Sequence, residues 1–122
     1  MMKDDSVYLH HIIDAFMQIE YYIDGVSHEE FLSNKLLQDG VIRQLEVMGE
    51  AARNLSDDLR NEYPQVPWRQ MIGLRNRMIH AYFNVNLQII WEIVQGDLPD
   101  LKRETESILD SIRKECEGES KN

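Results

Sequence analysis

Arg75, Asn76 and His80 lie within one six-residue stretch and bring together three complementary groups. The guanidinium is a permanent cation, the amide is neutral, and the imidazole gains or loses a proton near neutral pH. No carboxylate accompanies them. Between Glu62 and Glu92 the chain has no Asp or Glu, where average density would place about five. Yet that window keeps Arg69, Arg75, Arg77 and His80. A merely buried segment would be depleted of both signs, so the window reads as a place that accepts negative charge. Overall, 13 Lys and Arg face 22 Asp and Glu, a net charge of −9. Thirteen of the acids precede the window and nine follow it. That balance argues against a nonspecific nucleic-acid coat but leaves one basic element between two acidic ones.

Metal-dependent phosphodiester cleavage needs carboxylates to hold the ion, and none is near. The set suits metal-free cleavage of RNA. A neutral imidazole takes the proton of a ribose 2′-hydroxyl, a charged one protonates the leaving 5′-oxygen, and an arginine neutralises charge on the phosphorus. Arg69 and Arg77 are then candidate RNA contacts. One imidazole cannot be acid and base in the same step, and on a helix Arg75 and His80 stand about 140° apart. A two-fold homodimer answers both problems by placing two copies across one cleft.

The elements that must position these groups are all helical by periodicity. Leu9, Ile12, Ile13, Phe16, Ile19 and Ile23 mark a first helix, with Asp4 or Asp5 as N-cap and Gly25 as stop. Ser27-x-x-Glu30 is a capping box for a short second one. Leu37, Val41, Leu45, Met48, Ala52, Leu55 and Leu59 form one long seam, interrupted in propensity by Gly40 and Gly49. Pro67 suits the first turn of a fourth helix that runs to about Phe83. Asn84-Val85-Asn86 is a turn, with Asn86 capping a fifth helix through Val94. Gly96-Asp97-Leu98-Pro99 ends that helix and caps a last one carrying Leu101, Ile108 and Ile112. The polar tail from about residue 117 should fray. The fold class is all-α, an antiparallel bundle of five to six helices in a single domain spanning 1–122.

On the fourth helix, Met71, Ile72, Leu74, Met78, Ile79, Ala81 and Phe83 make an apolar arc, and Arg69, Gly73, Asn76 and His80 line the opposite face. Gly73 leaves a notch in that polar stripe. Arg75 points into the apolar arc, so it must meet a carboxylate such as Glu46 or Glu50, a subunit interface, or a cleft that admits an anion.

These residues resemble a known family. Arg75-Asn76-Arg77-Met78-Ile79-His80 matches the R-x4-H motif of HEPN domains. The wider string Pro67-Trp68-x-x-Met71-Ile72-Gly73-Leu74-Arg75-Asn76 … His80-Ala81-Tyr82 resembles the HepT-like family, as do Gly49-Glu50-Ala51-Ala52 and Trp91 … Leu98-Pro99-x-Leu101. The resemblance covers roughly residues 45 to 101. It implies a dimeric HEPN bundle acting as the RNase toxin of a type VII-like toxin–antitoxin pair, with no metal or other cofactor. Arg75 and His80 would be catalytic and Asn76 supporting. The partner would be a minimal nucleotidyltransferase antitoxin in a hetero-oligomer, silencing the toxin by AMPylation of Tyr82. Phosphate and nucleotide placed there would occupy the anion site meant for RNA. The family commonly has Asp where Asn86 stands; as an N-cap, Asn replaces it at little cost.

Two other functional classes fit the same residues: a noncatalytic dimeric binding subunit of a nucleotidyltransferase, and a plain helical oligomerisation module. His10, His11 and Asp14 have the i, i+4 spacing of metal ligands but lack an evident third ligand, and a solvated acidic face explains them better. Trp68 and Trp91 read as core or interface residues, although Trp68 could contact a nucleotide. The lone Cys116 cannot form an internal disulfide, and a reducing cytoplasm is the expected location. No apolar run is long enough to span a membrane.

Overall fold

The structure is a computed structural model and describes residues 3–74 and 86–120, with side chains for 5–74 and 86–115. Helix α1 (Lys3–Ile23) buries Leu9, Ile12, Phe16 and Ile19, one face at the expected spacing. Gly25, in the turn just after α1, has φ +71°, a left-handed conformation that suits glycine. The Ser27 hydroxyl accepts from the Glu30 N–H at 3.1 Å and starts α2 (His28–Ser33). Asn34 does the same for α3 (Lys35–Arg53), accepting from the Leu37 N–H at 3.1 Å.

The α3 helix runs unbroken through Gly40 and Gly49. At Gly40 the cause is contact: the Tyr22 ring lies so close that a Cβ there would stand 3.2 Å from it.

The long seam divides where one continuous helix was expected. The α3 helix stops at Asn54, whose side-chain amide folds back onto the Glu50 carbonyl, and α4 (Asp57–Glu62) begins at a Ser56 cap. Leu55 and Leu59 remain buried, so the break leaves the apolar spacing intact. Asp5 is also reassigned. It lies inside α1, 2% exposed, and accepts from the Ser56 backbone N–H at 2.8 Å and the Ser56 hydroxyl at 2.7 Å. The first turn of α1 therefore holds the start of α4 rather than capping itself.

Residues 68–74 are helical and are called α5. After the undescribed segment come α6 (Leu87–Glu92), a π-helical turn (Ile93–Asp97) and α7 (Leu98–Ser120). A break was expected at Gly96–Pro99, but the rod is continuous. Proline lacks an N–H and crowds the carbonyl four residues back. A wider turn, in which the Leu98 N–H reaches the Ile93 carbonyl, relieves that crowding without ending the helix. The last helix continues through Ser120, beyond the point where fraying was expected.

Neighbouring long helices are antiparallel. Asp5 at the start of α1 meets Ser56 beyond the end of α3, and Tyr22 near the end of α1 covers Gly40 near the start of α3. Lys102, early in α7, bonds Glu20, late in α1, at 2.7 Å. The core joins Leu9, Phe16, Leu45, Met48, Met71 and Ile90. Among the described residues there is no strand, and no helix is long and apolar enough to cross a membrane. The architecture is an all-helical bundle, as the periodicity requires.

Candidate functional site

The approach to the Arg75–His80 motif is built by Tyr63–Trp68. The Trp68 indole N–H donates to the Tyr63 carbonyl at 2.9 Å and the ring is buried, which makes it a support rather than a nucleotide platform. Pro67 stands just ahead of α5, with its carbonyl accepting from the Met71 N–H at 3.0 Å. Tyr63 itself is held above its ordinary phenol range, first by burial and then by the Glu62 and Glu115 carboxylates, against a hydrogen bond with Ser111.

Along α5 the expected faces separate. Met71 and Leu74 are buried, while Arg69 and Gln70 are exposed. Among the described residues, a Cβ at Gly73 would meet no heavy atom within 4 Å. Arg75, Asn76, Arg77, His80 and Tyr82 lie outside the described residues, as does any pairing of Arg75 with Glu46 or Glu50.

The far end is anchored too. The Asn86 side chain accepts from the Ile89 N–H at 3.2 Å, the cap expected from sequence. Ile90 is buried, and Trp91 stacks on His28 (ring centroids 5.5 Å) and against Phe31 (5.2 Å). Helix α2 thus clamps the element that follows the motif. His28 was not foreseen, since a lone histidine in a short helix carries no sequence signal. Its Nε2 is buried with no hydrogen-bond partner among the described residues.

His10, His11 and Asp14 are all exposed on α1, and among the described residues no three His, Cys, Asp or Glu side chains form a metal-binding group. His11 instead takes part in a groove between α1 and α3, lined also by Tyr8, Arg43, Glu46, Glu50 and Asn54. Sequence reasoning missed this groove, because its two walls are more than thirty residues apart in the chain.

Residues 12–108 match the family described as Ribonuclease HepT-like. A protein of Methanocaldococcus jannaschii named "Putative RNase MJ0127" is 42% identical over 120 residues, covering 98% of this chain and 96% of that protein. One of Thermococcus cleftensis named "Probable ribonuclease HepT" is 38% identical over 108 residues, covering 88% of this chain and 98% of its own. No solved structure matches. The matched region contains the whole acid-free stretch and the elements that anchor both its ends, and on that extent of similarity the chain belongs to the HepT-like ribonuclease family.

Proposed function

We propose that the chain is a metal-independent endoribonuclease and the toxin of a type VII-like toxin–antitoxin pair. The observation that carries this reading is the R-x4-H motif, Arg75 to His80, set in a stretch free of acids within a HepT-like chain. In the proposed reaction two subunits share one cleft. One His80 removes the 2′-hydroxyl proton, the 2′-oxygen attacks phosphorus, and the P–O5′ bond breaks. The partner's His80, protonated, gives the leaving 5′-oxygen its proton. Arg75 offsets the charge on the pentacoordinate phosphorus, Asn76 supports the phosphate as a neutral donor, and Arg69 and Arg77 bind flanking phosphates. The products are a 2′,3′-cyclic phosphate and a 5′-hydroxyl.

Control falls to Tyr82. Its phenolic oxygen attacks the α-phosphorus of ATP on a minimal nucleotidyltransferase and releases pyrophosphate, leaving AMP where RNA would bind.

The test is expression of the chain alone beside His80→Ala and Arg75→Ala. Wild type should arrest growth and each variant should relieve the arrest. Purified wild-type protein should cut RNA in EDTA, leaving cyclic-phosphate ends. A folded dimer that binds RNA but leaves it uncut would replace this reading with that of a noncatalytic binding subunit. Incubation with the nucleotidyltransferase and ATP should add the mass of one or more AMP units, and Tyr82→Phe should abolish the gain. Labelling that survives this substitution would move the site elsewhere.

A further inference from the structure

Resting on the ribonuclease reading, we propose that the groove between α1 and α3 is a guanine pocket through which the RNA substrate is read. The groove is open to solvent on one side and offers about 450 Å³, room for one nucleotide. Tyr8 and His11 form a corner in it, with ring centroids 6.0 Å apart and planes at 85°. A base stacked on one ring meets the edge of the other, and stacking on aromatic side chains is how unpaired RNA bases are held. Val47 and Ala51 add apolar surface to the same lining.

Glu46 supplies the discrimination. Its side chain is 28% exposed, lines the groove and accepts no hydrogen bond among the described residues. Arg43 approaches only to 3.8 Å, beyond hydrogen-bonding distance. A carboxylate offers two acceptors side by side and no donor. Guanine presents two adjacent donors, N1–H and the 2-amino group. Adenine and cytosine set one donor beside a ring-nitrogen acceptor, and uracil flanks its one donor with two carbonyls. Only guanine pairs with Glu46 at both oxygens without repulsion. Arg43, 71% exposed at the rim and ion-paired with Glu46 at 3.8 Å, exchanges that long contact for a phosphate when a nucleotide binds. The α1–α3 groove also carries the Glu50 carboxylate, but it sets rings and a cation beside its acids. The cavity between α5 and the π turn, about 250 Å³, has Asp97, Asp100 and Glu104 with neither an aromatic ring nor a cation.

The experiment titrates the intact protein with GMP, IMP, AMP, CMP and UMP by calorimetry, following the Tyr8 and His11 ring protons by NMR. GMP should bind about tenfold or more tighter than AMP, CMP or UMP, with IMP between because it keeps N1–H and loses the 2-amino group. Glu46→Gln should bring GMP to the level of AMP, with circular dichroism confirming the fold. Equal binding of the five nucleotides, no binding in the millimolar range, or guanine preference that survives Glu46→Gln overturns the pocket. The nucleotide series on wild type needs no variant to fold. In RNA, cleavage should favour sites beside G and lose that bias in Glu46→Gln; guanine-selective binding with unbiased cleavage would mean that the groove does not read substrate. If wild type cuts no RNA but selects GMP, the pocket stands and the ribonuclease reading fails. If it cuts without base preference and GMP is not preferred, the reverse holds.

Discussion

Replacing Asp5 with Ala tests how the scaffold is held. The carboxylate is 2% exposed and accepts two short hydrogen bonds from Ser56, across a sequence separation of 51 residues. Hydrogen bonds to a charged group contribute about 1.5–3 kcal/mol each, and an orphaned partly buried N–H costs about 1–3 kcal/mol. The Ser56 hydroxyl keeps its capping bond to the Leu59 N–H at 3.1 Å, so part of the start of α4 survives. The net loss should therefore be about 2–4 kcal/mol. For 122 residues this is a fall in Tm of roughly 6–20 °C. Urea unfolding should show a lower midpoint at unchanged slope. Asp5→Asn, which retains one acceptor and the shape, should lose about half as much. A double-mutant cycle with Ser56→Ala should give a coupling of about 1 kcal/mol or more. A loss below about 0.5 kcal/mol for Asp5→Ala, or additive single effects, would refute the assignment of Asp5 as the tie between α1 and α4.

Two glycines should respond in opposite ways. Gly73→Ala gains helix propensity, meets no heavy atom of the described residues within 4 Å, and should raise stability by about 0.5–1 kcal/mol. Gly40→Ala must push the Tyr22 ring aside and should gain nothing or lose up to about 1 kcal/mol, measured by the same unfolding curves. Alkaline pH should loosen the bundle. Lys102 is raised above 10.5 chiefly by its hydrogen bond to Glu20, and Tyr63 above 10.0 chiefly by burial. The protonated forms are thus favoured by folding. Their contributions are complete below the unfolded values and are lost as pH climbs through the folded ones. Stability should fall above about pH 10, and Lys102→Met should flatten the lysine part of that fall while costing about 0.2–1 kcal/mol at neutral pH.

Periodicity revealed most of the helices because each buries one continuous stripe. The stripes of α1 and α3, the Gly25 stop and the Ser27 and Asn86 caps are all short-range patterns, and the structure contains them. The division of α3 from α4 was hidden because Leu55 and Leu59 keep a helical spacing across Asn54–Ser56. The role of Asp5 was hidden because its partner lies far along the chain. For the same reason neither the groove at Tyr8, His11 and Glu46 nor the stack of His28 on Trp91 could be read in advance. The R-x4-H motif was legible because its members fall within six consecutive residues, so their types and spacing are local facts of the sequence.

The π turn has one further consequence. An α-helix advances about 100° per residue, so one additional residue in a turn rotates everything downstream by about that angle. The face of α6 that carries Trp91 is turned to α2, while beyond the wide turn Lys102 of α7 reaches Glu20 of α1. The five residues Ile93–Asp97 act as a gear between these two orientations. A relative lacking one residue there must swing α7 off α1 or pull Trp91 from its seat, so chain length in this stretch should be held more tightly than residue identity.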